Sequence, residues 1–284
     1  MTSLEPLQTL FDDTPPDPSW LSPSLEAIYQ GRLSFPLRAD ATRPYVISNF
    51  VTSLDGVISY GIAGQDTGGN ISGNSQIDHA IMGTLRACAD AVIWGSASYA
   101  ITKDFVPTPA AIWRPGATEF ELLRQSLGKP ACPLAVIITS SGDIPQDGAI
   151  IQRADQPAAI ITSQQGSKRL SGLHAPNTHV HVTADADRVS PAEALHILWE
   201  AYHVRLALHE GGATLFGAFL QAGLVDELFL TIAPQLAGRD TDTHRPSLVE
   251  RAAFLPATAP WANLISLKRC SSHLFSRYIV IGPR

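Results

Sequence analysis

RLALHEGGATLFGAFLQAGLVDELFLTIAPQLAG, residues Arg205 to Gly238, holds a complete strand–turn–helix–strand unit, and the rest of the chain reads as organised around it. Leu206, Ala207 and Leu208 form the apolar spine of a buried strand running from Arg205 to His209. Gly211 and Gly212 follow. Ala213, Leu215, Phe216, Phe219, Leu220 and Leu224 then recur at three- and four-residue spacing, which describes a helix burying one face, with Gly223 as its C-terminal stop. A second strand, Glu227 to Ala233, runs apolar up to Pro234. Two glycines between a buried strand and a helix let a ligand approach the backbone, and the first helical turn offers unpaired N–H groups with a partial positive charge, which suits a phosphate. A tight strand-to-helix turn would use the same two glycines, so the rest of the chain must decide.

With 284 residues and 30.4 kDa the chain sits at the upper edge of one domain, and 45% hydrophobic residues are enough for a substantial core. Residues 1–42 are proline-rich (Pro6, Pro15, Pro16, Pro18, Pro23, Pro36), with a helical candidate only from Ser24 to Gln30; they read as an arm laid over one domain, residues 43–284. The formal net charge is −6 with no block of Lys or Arg, so no electrostatic footprint for nucleic acid or an anionic membrane exists, and a small ligand is expected. Cys88, Cys132 and Cys270 are odd in number and far apart, which fits reduced thiols; no CxxC or other zinc spacing occurs, so no metal is expected. Without a signal-like N-terminus or an apolar run of transmembrane length, the expectation is a soluble cytoplasmic protein.

Working outward, Tyr45 to Val51 is a strand, and its tail Thr52-Ser53-Leu54-Asp55-Gly56 turns at Asp-Gly into a glycine-rich loop, Gly61 to Asn74, a candidate active-site flap. Ser75 caps a helix through Cys88, and Asp90 to Trp94 is a second buried strand ending in Gly95-Ser96-Ala97-Ser98. A helix near Thr118 to Leu127 precedes strand Leu134 to Ile138, which ends in Thr139-Ser140-Ser141. Short strands are read at Ala149–Gln152, Ala158–Thr162 and Thr178–Thr183, a helical turn around 168–170, and a helix at Pro191–Tyr202. Asn263–Cys270 and Leu274–Ile281 close the chain as a hairpin. Strands alternating with helices and ending in antiparallel strands argue for a three-layer α/β domain with a mixed, mainly parallel sheet, whose ligands sit at the carboxyl ends of the strands.

Taken in order, Ser53-Leu54-Asp55-Gly56, Leu85-Arg86-Ala87 with Asp90-Ala91-Val92, Glu210-Gly211-Gly212, Gly223-Leu224-Val225-Asp226-Glu227-Leu228 and Ala233-Pro234-x-Leu-x-Gly238 resemble the reductase domain of bacterial riboflavin biosynthesis, 5-amino-6-(5-phosphoribosylamino)uracil reductase, with its dihydrofolate-reductase-like fold. The resemblance covers roughly Arg43 to Arg284 and implies NADPH binding and hydride transfer without metal, turning a ribosylaminopyrimidine phosphate into its ribityl form. By that similarity Gly95, Ser96 and Ser98 would lie along the dinucleotide phosphates, Thr139, Ser140 and Ser141 near the adenosine 2′-phosphate, and Gly211, Gly212, Ala213 and Thr214 under the pyrophosphate. Thr52, Ser53 and Asp55 would face nicotinamide and substrate. If a phosphorylated sugar is bound, Arg86 or Lys103 is the nearest candidate in the sequence for its phosphate, against plain surface solvation for both. For the serines, helix capping and turn chemistry are the competing explanation.

Asp55 and Glu210 are the candidate catalytic carboxylates: Asp55 against the reading of a plain Asp-Gly turn, Glu210 against that of an ion pair with Arg86 or Arg205. His209 is a candidate proton donor or a core histidine, and His179 with His181 share a strand face without a third metal ligand. Trp113 is read as core or as pocket lining. The family's lysine after SLDG is replaced by Val57, which leaves open a reductase of the same fold acting on a pterin such as dihydrofolate, or a nucleotide-binding paralogue without catalysis. Members of the resembled family pair through the closing hairpin, and a homodimer is expected.

Overall fold

Buried strands alternating with one-faced helices build a single ten-stranded sheet in the computed structural model, which describes residues 4–283. The strands are β1 (Gln8–Asp12), β2 (Tyr45–Thr52), β3 (Ala91–Gly95), β4 (Leu134–Thr139), β5 (Ala158–Thr162), β6 (Thr178–Val182), β7 (Leu206–Gly211), β8 (Glu227–Ile232), β9 (Trp261–Cys270) and β10 (His273–Ile281). The helices are α1 (Pro23–Tyr29), α2 (Gly68–Ser72), α3 (Gln76–Cys88), α4 (Ser96–Thr102), α5 (Pro109–Ile112), α6 (Ala117–Ser126), α7 (Ala149–Gln152), α8 (Gln164–Arg169), α9 (Pro191–Tyr202) and α10 (Ala213–Gln221).

The sheet order is β1-β9-β10-β8-β2-β7-β3-β4-β5-β6. From β8 to β6 neighbours are parallel; β10, β9 and β1 add antiparallel strands at the other end. This is the expected three-layer α/β architecture. Strands β3, β4 and β5 are buried along their whole length, because helices cover both faces and each strand is therefore a continuous apolar run. Leu85, Trp94, Phe120 and Ile137 belong to the core under α3 and α6, while Ile93, Val136, Leu198, Phe216 and Phe219 form the core under α9 and α10. The chain returns from β6 to insert β7 between β2 and β3, so the carboxyl ends of these three strands open on one crevice.

Three local expectations change. Ala149–Gln152, read as a strand, is the short helix α7; Ile150 and Ile151 are buried, and a four-residue apolar run carries no period that separates strand from helix. The glycine-rich segment read as a loop and candidate flap contains α2, anchored by buried Ile71 beside Val57 and Ala233. The arm also supplies a strand, β1, paired antiparallel to β9, which its short, fully exposed stretch between prolines did not signal.

The arm seals the α1 face of the sheet with Leu7, Leu21, Leu25, Tyr29, Leu33 and Phe35. Beneath it the buried Lys268 ammonium donates to the Gln30 carbonyl at 3.0 Å and to Asp12 at 3.3 Å, over the Tyr29 ring at 4.8 Å. Arg277 pairs with Glu227 at 2.6 and 3.0 Å and donates to the Ser34 carbonyl. On the opposite face Leu228, Leu230, Tyr278 and Val280 stay half-buried.

Candidate active site

Parallel pairing of β3 with β7 sets Gly95 beside Gly211 and makes a notch in the crevice. A Cβ on Gly211 would lie 2.8 Å from Ser98 Oγ and 3.2 Å from the Trp94 ring, so only glycine admits this approach. Gly212, with φ +85°, occupies a conformation that disfavours a side chain and forms the N-cap of α10. Gly95 forms the N-cap of α4. Neither helix has a side-chain cap, so their first-turn N–H groups and the positive ends of their dipoles face the notch. Gly95, Ser96, Ser98, Gly211, Gly212, Ala213 and Thr214, named from separate stretches of sequence, are thus brought to one place. Bare backbone, a serine hydroxyl and two uncapped helix ends make a donor set that fits a pyrophosphate.

Thr139, Ser140 and Ser141 end β4 two strands from β7. The Thr139 hydroxyl accepts from the Gly142 amide, Ser141 from Asp143, and Ser140 from Val189. Gly142 (φ +67°) meets Gly166 backbone to backbone, which fuses the loops after β4 and β5; the Arg169 guanidinium donates to the Ser141 carbonyl at 3.2 Å. Serine hydroxyls therefore do turn chemistry here, while Ser140 and Ser141 remain on the surface.

At the end of β2 the Asp55 carboxylate accepts from the Ser53 hydroxyl (2.6 Å) and from the amides of Ala237 (3.1 Å) and Gly238 (2.7 Å). The Ser53 hydroxyl and these two amides hold it well below the ordinary carboxylate range. A group so held stays ionised and has no proton to give. Its geometry is that of a clamp joining the turn to the segment after β8. Val57 is fully buried and bridged to Ser247, and no lysine stands in its place.

Glu210 is the extra residue of a β-bulge: Ile93 pairs with His209, but Trp94 pairs with Gly211. Its carboxylate turns into the protein and accepts from Arg86 Nε at 2.9 and 3.0 Å and from Nη2 at 2.7 Å, with 1% of the Glu210 side chain exposed. The two residues satisfy each other, so neither a free substrate-facing carboxylate nor a free phosphate-binding arginine stands at this strand end. Lys103 pairs with Asp147 at the surface.

His209 is a core residue. Its ring lies among Phe50, Phe216 and Phe219, both ring nitrogens lack a protein partner, and burial pushes its pKa down to about 3. It cannot donate protons near neutrality. His181 bonds Tyr202 at 2.7 Å, and Trp113 packs edge-on to Phe120 in the core. Among the described residues no cluster of His, Cys, Asp or Glu could hold a metal ion, and no helix is long and apolar enough to cross a membrane.

A cleft of about 620 Å³ opens at the opposite, amino edge of the sheet. Its Asp90 accepts from Lys129 and from the Arg205 and Leu206 amides, so its charge is already met. The carboxyl edge also carries Asp78, Ser72, Thr231 and His273, which sequence reading passed over. One signal was available: Asp78 lies on the same helical stripe as Ile81 and Leu85, three and seven residues on.

A family model described as the RibD C-terminal domain matches residues 44–261. The 2,5-diamino-6-ribosylamino-4(3H)-pyrimidinone 5′-phosphate reductase of Archaeoglobus fulgidus is 26% identical over 202 residues, which cover 71% of this chain and 85% of that protein. Riboflavin biosynthesis protein RibD of Bacillus amyloliquefaciens is 32% identical over 152 residues, 53% of this chain and 37% of its own length. A pyrimidine reductase-like protein of Corynebacterium diphtheriae has the same fold, with a TM-score of 0.63 at 23% identity over 84% of this chain and 92% of its own.

Proposed function

The chain belongs to the RibD C-terminal domain family, and on that premise we propose that it is an NADPH-dependent reductase of the riboflavin-biosynthesis type, converting a ribosylaminopyrimidine 5′-phosphate to its ribityl form. The observation that carries the reading is the notch between β3 and β7, where two uncapped helix ends meet over backbone that Gly95, Gly211 and Gly212 leave bare. The name of the Archaeoglobus relative supports the substrate class.

Gly95, Ser96, Ser98 and Gly211 to Thr214 would hold the pyrophosphate, Ser140 and Ser141 the 2′-phosphate, and Thr52 the nicotinamide end. Bound there, the dinucleotide supplies a hydride; the protein's own work is to position the acceptor carbon and exclude water. The buried Arg86–Glu210 pair acts from behind, fixing the bulge that presents Gly211 and Gly212. Thr52 and Ser53, with α2 above them, form the substrate side. Burial of Val57 where the resembled family carries lysine favours, as a second reading, a pterin-like substrate for the same machinery. We further propose a homodimer through the half-buried face of β8 and β10.

Titration of the protein with NADPH and with NADH, followed by energy transfer from its tryptophans, tests the cofactor site. Saturable binding is expected, tighter for NADPH by about tenfold, the worth of one charge-assisted contact to the 2′-phosphate. Failure of both to bind would remove the reductase reading.

A further inference from the structure

After β8 the chain turns back along the start of the flap. Ser247 is bridged to Val57, the Ile58 amide donates to the Pro246 carbonyl at 3.0 Å, and a Cβ on Gly61 would lie 2.4 Å from the His244 carbonyl oxygen. Two arginines in this return are held by backbone carbonyls alone. Arg239 donates through Nη1 to Asp55 (3.0 Å), through Nη2 to Gly56 (3.1 Å) and through Nε to Arg245 (3.2 Å). Arg245 donates through Nη1 to the carbonyls of Ala237 and Gly238, and its guanidinium lies 5.1 Å from the centre of the Tyr60 ring. Neither is ion-paired with a carboxylate among the described residues. The acids of the same region are engaged by other donors: Asp55 by Ser53 and the Ala237 and Gly238 amides, Asp240 by the Asp242 and Thr243 amides, Asp242 by the Thr241 hydroxyl and Glu250 by Ser247. Arg245 is the less satisfied of the two cations. Its Nε is buried without a partner, and Nη2, on the same edge of the guanidinium, donates to no protein acceptor. These two nitrogens present parallel N–H bonds, the edge by which an arginine takes two oxygens of a phosphate. A buried donor left unpaired is costly, and an anion that enters at Nη2 and reaches Nε behind it recovers the loss.

We propose that the Nε–Nη2 edge of Arg245, with Arg239 beside it as a second positive charge, anchors the phosphate ester of the substrate. The inference rests on the reductase reading above. Both cations that the sequence put forward for this group are already paired, Arg86 with Glu210 and Lys103 with Asp147, so the ester must be met elsewhere on the carboxyl edge. The two arginines stand where β2 and β8 end, one turn beyond Thr52 and Ser53. They also adjoin α2, because Tyr60, under Arg245, bonds Gln235, and Gln235 donates to the Asn70 carbonyl at 3.3 Å. Strand β2 lies three strand spacings from β4, roughly 14 Å, which separates this anchor from the serines assigned to the 2′-phosphate of the cofactor. An ester fixed here lets the ribosyl chain run back across Thr52 to the nicotinamide end. The two phosphate groups are then told apart by place: serine hydroxyls beyond β4 for the dinucleotide, arginines beyond β2 for the substrate.

The test titrates wild type, Arg245→Gln, Arg239→Gln and Arg245→Lys with ribose 5-phosphate, ribose and NADPH by calorimetry, and then measures turnover. Glutamine keeps an amide donor for the backbone carbonyls and removes the charge. Wild type should bind ribose 5-phosphate in clear preference to ribose. Arg245→Gln should weaken that binding at least about tenfold, the worth of a charge-assisted forked contact, and Arg239→Gln by about threefold, with the Kd for NADPH unchanged in both. The KM for a ribosylaminopyrimidine phosphate should rise by the same factors with kcat within about twofold, because an anchor remote from the reacting carbon holds ground state and transition state alike. Arg245→Lys keeps the charge over Tyr60 but has no fork, and should still lose at least about threefold. Wild-type affinity for ribose 5-phosphate in either Arg245 variant would overturn the inference. So would a wild type that binds ribose 5-phosphate no better than ribose, or an equal loss of NADPH affinity, which would give the arginines to the cofactor. Turnover with an unmoved KM in Arg245→Gln would remove the anchor and leave the reductase reading in place. Arginine-dependent binding of ribose 5-phosphate by a protein that reduces no ribosylaminopyrimidine phosphate would remove the reductase reading and keep the anchor as a sugar-phosphate site.

Discussion

His209 and Asp55 show how one side chain's surroundings overrule its chemical reputation. A histidine next to the diglycine has the titration range of a proton donor in water. Three phenylalanines remove that range, and the buried ring stays neutral. Because its folded pKa is about 3 against an ordinary 6.5, its neutral form contributes stability in full above pH 6.5, and that contribution is lost as pH falls towards 3. At pH 5 the loss is about 2 kcal/mol. His209→Leu should leave stability at pH 7 unchanged or up to about 1 kcal/mol higher, since two unpartnered nitrogens disappear. Urea unfolding from pH 7 to 4 should show the variant gaining on wild type as the pH drops; parallel curves would contradict this account. Asp55 is the converse case, an acid that three donors keep ionised.

Among elements, the strand-end loops decide where a ligand can go. A Cβ on Gly166 would stand 2.1 Å from Thr162 Oγ1 and 2.6 Å from the Ser140 carbonyl, whereas one on Gly172 would meet nothing within 4 Å. Gly166→Ala should therefore cost about 2 kcal/mol or more, although alanine is the better helix former, and Gly172→Ala should be close to neutral. At the notch, Gly211→Ala drives its methyl onto Ser98 and should weaken cofactor binding at least about tenfold beyond any loss of Tm, the signature of a close backbone approach. Thermal unfolding with and without NADPH separates these outcomes; equal ligand-induced shifts in Gly211→Ala and wild type would exclude the notch as the phosphate site. The strand-to-helix unit at Leu206–Gln221 was legible in sequence because its period and its glycines agree. The β7 bulge was not, since it arises only when β7 pairs with β3.

In the whole molecule, the arm and the closing strands form one structure. Lys268 and Arg277 stay charged under the arm because Asp12, Glu227 and the carbonyls of Gln30 and Ser34 meet them. With the α1 face sealed, the opposite face of β8 and β10 is the apolar surface left half-buried, and a second copy of the chain would cover it. Light scattering at micromolar concentration should give the mass of a dimer, and Leu230→Glu should reduce it to that of a monomer while retaining NADPH binding. A monomeric wild type would exclude the dimer.

Local pattern by itself determined the α/β class, most strands and long helices, and the glycine-marked strand ends, because these depend on periodicity and on backbone freedom within a few residues. Only the tertiary structure decided what the polar side chains do. Glu210 is drawn inward by an arginine 124 residues away, and Asp55 is clamped by amides 182 and 183 residues away. A carboxyl's role follows from its dielectric surroundings and its partners, and those are assembled by contacts that no local stretch of sequence contains.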